Sequence, residues 1–164
     1  MSFTHALNEL FNWEGGYSND PVDAGGATNH GISLRFYKEN IDRYADADDI
    51  KNLSPEAIEK IYKDYFWDSS GVDRLQSYAL ASKVFDGVVL HGRRTGVKML
   101  QKALGDVRVD GILGPKTAGA ANTSDTRRLL AKLRKERLDY VEAIVDANPP
   151  WKKFEKGWTL RALA

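Results

Sequence analysis

The sequence predicts a mainly α protein with a small β-hairpin region near its N-terminus. Three observations carry that prediction. Apolar residues recur at helical spacing in one segment after another. Serine, proline and glycine stand where helices start and stop. The strand candidates are short, around Tyr17 and around Asn29 to Ile32. At 164 residues and 42% hydrophobic, the chain can form one ordinary domain, or a catalytic lobe with a small appended lobe.

Each element follows from local signals. Ser2 is placed to cap a first helix in which Phe3, Leu7, Leu10 and Phe11 share a face. The stretch from Gly15 to Gly31 is too rich in glycine and turn residues for a helix. Ser33 heads a short helix through Ile41, and Ser54-Pro55-Glu56 heads another with proline at its first position. Tyr78 to His91 is apolar nearly all round and reads as a central buried helix. A helix from Arg94 to Leu104 ends at Gly105. Asp110-Gly111 and Gly114-Pro115 mark a compact turn into a further helix. A long basic helix from Asp125 to Ala147 is stopped by Asn148-Pro149-Pro150, and a last helix carries Trp151, Phe154 and Trp158.

The net charge of +1 conceals an asymmetry. Met1 to Ser82 holds 7 Lys+Arg against 14 Asp+Glu, and Lys83 to Ala164 holds 17 against 9. That pattern fits either an ordinary mixed surface or a basic half that meets an anionic partner. With no cysteine, there is no disulfide framework and no thiol nucleophile. The N-terminus lacks a basic n-region and a long apolar h-region, so cytoplasmic synthesis without a typical signal peptide is expected.

Glu14 is the first candidate for chemistry. On a wheel of about 100° per residue it falls within roughly 20° of Phe3, inside the apolar stripe. Desolvation there raises a carboxyl pKa, which suits a general acid. The bland alternative is that the helix ends first and Glu14 turns to water. Asp23 follows nine residues later and Thr28 fourteen later. A polar hairpin of that length can bring both across a cleft from Glu14. Glycoside hydrolysis commonly uses such a carboxyl pair. Asp20 and Asp23 also suit plain turn capping, most of all Asp20 before Pro21.

Glu14 to Ser33 (EGGYSNDPVDAGGATNHGIS) closely resembles the signature of glycoside hydrolase family 108, a family of phage and prophage N-acetylmuramidases. The resemblance continues through Ile61 to Asp68, Phe85-Asp86, Leu100 to Gly105 and Phe154 to Trp158. It implies a lysozyme-like helical fold with no cofactor and no metal, and a catalytic lobe over 1–92. The implied activity is cleavage of the β-1,4 bond between N-acetylmuramic acid and N-acetylglucosamine, with cell lysis as the outcome. Glu14 matches the family's acid, and Asp23 and Thr28 match an aspartate and a threonine that phage lysozymes place at similar spacing. Tyr17, Asp20, Gly25, Gly26, His30, Asp86 and His91 are the implied substrate-binding positions. Leu90 stands where the family pattern places an asparagine.

Asp110 to Thr117 (DGILGPKT) resembles the loop of small peptidoglycan-binding helical modules. It implies a wall-binding lobe over 93–164, packed with the first lobe as one compact unit, with Asp110, Gly111, Lys116 and Thr117 at the wall. The expected partners are peptidoglycan glycan strands and, through the basic half, the anionic envelope. The expected state is a monomer acting on the wall after release into the periplasm. Three other readings compete. A zinc amidase needs clustered ligands, and only His5, His30 and His91 are available. A non-catalytic peptidoglycan-binding or secretion-accessory protein has no need of an acid in an apolar stripe. A nucleic-acid binder would show a recognised motif beside the basic run from Arg127 to Arg137, and none accompanies it.

Overall fold

Helical signals in the sequence become helices at nearly the expected bounds. The computed structural model describes residues 3–13, 15–19 and 26–164. These divide into two units, Phe3–Asp64 and Tyr65–Ala164. The architecture is mainly α, with a two-stranded antiparallel sheet in the first unit.

In the first unit, α1 (Phe3–Phe11) buries Phe3, Ala6, Leu7 and Leu10 on one face. It ends in a tightened turn, with Asn12 N–H donating to the Glu9 carbonyl and Trp13 N–H to that of Leu10. Strands β1 (Thr28–Asn29) and β2 (Ile32–Ser33) pair Thr28 with Ser33 and Asn29 with Ile32. Their two-residue loop, His30-Gly31, has φ of +46° and +80°, as the primed turn favoured in hairpins requires. Ser33 then caps α2 (Leu34–Asn40), accepting from Phe36 N–H at 3.1 Å. Next come α3 (Ala47–Lys51), capped by Asp46 in a capping box, and α4 (Pro55–Ile61), capped by Ser54 with proline at its start. A π-helical turn, Tyr62–Trp67, continues the chain from α4.

The second unit is a helical assembly around α5 (Tyr78–His91). Leu80, Ala81, Val84, Phe85, Gly87 and Val88 are all buried there, and among its residues only Ala79 is exposed. Helix α6 (Arg93–Leu104) packs on it so closely that a Cβ on Gly96 would lie 2.6 Å from the Val88 nitrogen. Gly105, at φ +87°, ends α6. Helices α7 (Pro115–Thr123), α8 (Thr126–Ala147) and α9 (Lys152–Leu163) complete the unit. Asp125 caps α8 and Asn148 closes it. No described helix is long and apolar enough to cross a membrane.

One expectation needs correction. The wheel that placed Glu14 in the apolar stripe assumed that helix 1 reaches it, but α1 stops at Phe11 and the chain turns at Asn12 and Trp13. In the basic run from Arg127 to Arg137, the last arginine, Arg137, is wholly buried. A buried guanidinium is tolerated only when paired, and its partner lies on α5.

Candidate functional site

The base of the glycine-rich loop is fixed by the backbone. Ser18 and Thr28 form an antiparallel bridge, with Ser18 N–H donating to the Thr28 carbonyl at 2.8 Å and Thr28 N–H donating back at 2.7 Å. Ser18 and Thr28 are thereby held side by side. Glu14, Asp20, Asp23 and Gly25 lie outside the described residues. The structure does describe their neighbours Trp13, Tyr17, Gly26, Thr28 and His30.

Thr28 is half-buried, and among the described residues its hydroxyl makes one long contact, to the Gly26 carbonyl at 3.4 Å. Tyr17 is exposed, with the Lys51 ammonium 6.0 Å from its ring centre. Trp13 is exposed as well, at 45%. Two part-exposed aromatic side chains thus flank position 14 in the sequence. Of the two, the sequence motif points to Tyr17 alone; Trp13 carries no signal beyond adjacency.

His30 is a turn residue. Its ring lies 5.2 Å from that of Phe11, and its carbonyl accepts from the Tyr62 hydroxyl at 2.6 Å. Its buried Nδ1 has no hydrogen-bond partner among the described residues. Asn29, which the sequence did not single out, is buried and donates from Nδ2 to the Ile50 carbonyl at 3.0 Å. Asn29 and Tyr62 together anchor the hairpin to α3 and to the end of α4. A hairpin of two-residue strands is marginal alone, so these ties matter to its placement.

The remaining expected residues lie in the second unit. Asp86 accepts from Arg161 Nε at 2.8 Å and from Arg137 Nη2, so both of its oxygens are engaged within the helical assembly. His91 packs edge-on against Tyr140, with ring centres 4.8 Å apart. Burial, with the Arg137 charge second, pushes its imidazole down to about 4.

In the loop from Asp110 to Thr117, most polar groups turn inward. Wholly buried Gln101 donates to Asp110 at 2.8 Å, to the Ile112 carbonyl at 3.1 Å and to Thr117 at 3.3 Å, and accepts from Gly111 N–H at 2.8 Å. The Gln101 bond and the Ile112 N–H hold the Asp110 carboxyl below its usual range. Gly111 has φ +80° beside Arg94, where no side chain fits. Lys116 alone of the four expected wall-contact residues is fully exposed.

Comparison with known proteins finds two family matches along the chain. Residues 7–92 match the family described as Glycosyl hydrolase 108, and residues 95–163 match one described as Predicted Peptidoglycan domain. Twelve chains of solved structures match. One is SagA of Brucella abortus, 32% identical over 98% of this chain and 88% of that one, with a TM-score of 0.83. A search of curated proteins finds no match.

Proposed function

Because the chain belongs to the glycosyl hydrolase 108 family, we propose that it is a muramidase, with Glu14 as its general acid. The coarser activity follows from the two matched domains: the chain is a peptidoglycan hydrolase that acts on the cell wall. The finer reading is cleavage of the β-1,4 bond between N-acetylmuramic acid and N-acetylglucosamine, leading to lysis after the enzyme reaches the periplasm. The observation that supports it is the Ser18–Thr28 bridge, which pairs two residues of the Glu14 to Ser33 family motif.

In this reading Glu14 gives its proton to the leaving glycosidic oxygen as the C–O bond breaks. Asp23, or Asp20 in its place, faces the developing oxocarbenium ion or activates the attacking water. Thr28, whose hydroxyl is weakly held, positions that water. Carboxyl groups about 5–5.5 Å apart give retention, and about 6.5–9.5 Å give inversion. Trp13 and Tyr17 offer flat apolar faces beside the cut, suited to sugar rings. The catalytic lobe is assigned to 1–92 and the wall-binding lobe to 93–164, in a monomer. Mass spectrometry of digested sacculi tests the bond specificity. New reducing ends should be N-acetylmuramic acid; N-acetylglucosamine ends would make the enzyme a glucosaminidase instead.

A further inference from the structure

Helices α5, α8 and α9 carry an aromatic end and a cationic end along one shared face. At the aromatic end, Leu90, His91, Tyr140, Trp151, Phe154 and Trp158 line an open pocket of about 340 Å³. Small-molecule sites typically occupy about 300–1,000 Å³. Phe154 stacks on Trp158 at 5.5 Å, and Trp151 meets Trp158 edge-on at 6.0 Å. Trp151 and Phe154 nevertheless stay 42% and 44% exposed. His91 Nε2 is buried and has no hydrogen-bond partner among the described residues.

At the other end, Arg137, Arg161 and Lys83 cluster about Asp86, and Arg134 lies near Lys83. Arg137 and Arg161 occupy Asp86. Among the described residues, Lys83 hydrogen-bonds to the Arg161 carbonyl at 3.5 Å, and Arg134 to the Ala164 carbonyl at 3.1 Å. The Nε atoms of Arg134 and Arg137 are buried without partners among the described residues. Lys83 stands seven residues before Leu90 on α5, about 10 Å along the helix.

We propose that this face is where the C-terminal unit holds peptidoglycan, taking a muramyl-peptide with its sugar on the aromatic end and its carboxylates on the cationic end. The pairing follows from complementarity. Pyranose C–H faces are apolar enough to lie on indole and phenyl rings, and arginine forks match carboxylates. A second copy of the chain would bring the same surplus of cations and repel. Burial and the arginine charges already push Lys83 down to about 8, a strain that an incoming carboxylate relieves. The inference rests on the peptidoglycan reading of the chain, but places the contact away from the Asp110 to Thr117 loop, whose polar groups are engaged internally.

Tryptophan fluorescence titration with a purified N-acetylglucosaminyl-N-acetylmuramyl tetrapeptide tests it. The Trp151→Ala/Phe154→Ala chain should bind about tenfold more weakly or worse, and Lys83→Met should also bind more weakly while melting at a higher temperature. Chitotetraose, which lacks carboxylates, should bind wild type more weakly than the tetrapeptide ligand and be indifferent to Lys83→Met. Saturation-transfer NMR on wild type should show ligand signals fed from the aromatic rings, a readout independent of any variant's folding. Unchanged tetrapeptide binding in a folded double variant overturns the proposal. So does wild-type binding to phosphatidylglycerol vesicles in preference to the tetrapeptide, or a dimer that the double variant abolishes. Failure of the enzyme reading has a separate signature: wild type would bind the tetrapeptide at this face yet release no reducing ends from sacculi.

Discussion

Arg137 is wholly buried, and its guanidinium donates to the carboxylate of Asp86, fifty-one residues earlier in the chain. The other Asp86 oxygen is held by Arg161, so one acid joins α5, α8 and α9. Removing it leaves two buried guanidinium groups unneutralised. Asp86→Ala should therefore lose about 3–5 kcal/mol of stability in urea unfolding. A variant of wild-type stability that has lost turnover would return Asp86 to the substrate-binding role its motif suggested.

His91 makes stability depend on pH. Its ordinary value is 6.5, and in the folded chain it sits at about 4. Between those values the unfolded chain binds a proton that the folded chain refuses. The contribution is complete above pH 6.5 and is lost as pH falls toward 4, about 3 kcal/mol at most. Thermal melts of wild type should drop across that window, and His91→Gln should drop less. Parallel profiles for the two chains would show that His91 titrates normally.

Thr28 separates a chemical role from a structural one. Its backbone makes the bridge to Ser18, while among the described residues its hydroxyl makes only the long contact to Gly26. Thr28→Val should keep the melting temperature and lower turnover of a soluble glycan fragment by about 10-fold or more, within the usual range for proton-handling groups. Asp23→Asn should do the same with wall binding intact. Full turnover in Asp23→Asn would move the second carboxylate to Asp20.

Arg127, Arg128 and Lys132 are exposed on α8, within the basic half of the chain. Attraction to an anionic envelope through such groups is screened over about 8 Å at physiological ionic strength. Pull-down on purified sacculi should weaken as salt rises, and neutralising the three should mimic high salt. Cleavage of a short soluble fragment should change much less. Salt-independent pull-down would mean that these charges only solvate the helix.

Helix ends were legible because capping chemistry is local. Ser33, Ser54, Asp125 and Gly105 end or begin helices where their residue types favour it. The bounds of α5 were legible from its apolar run, which nearly every side of the helix buries. What could not be read was long-range or conformational. Nothing near Arg137 in sequence announces that its partner is Asp86. The spacing of Phe3, Leu7 and Leu10 carries on to Glu14, and only the turn at Trp13 breaks it. The DGILGPKT motif marked a real loop, but not that Gln101, nine residues before Asp110, consumes its polar groups. At the candidate site, Tyr17, Thr28 and His30 were visible as motif positions, whereas Asn29 and Tyr62 act through tertiary hydrogen bonds that a linear pattern does not encode.

The most direct test of the account is the rate at which folded Glu14→Gln releases reducing ends from purified sacculi. Glutamine keeps the shape of the side chain and removes its proton. The account predicts an unchanged circular dichroism melt, wall binding close to wild type, and a rate lower by about 10²–10⁴-fold. A folded Glu14→Gln chain that hydrolyses sacculi at a near-wild-type rate would contradict it.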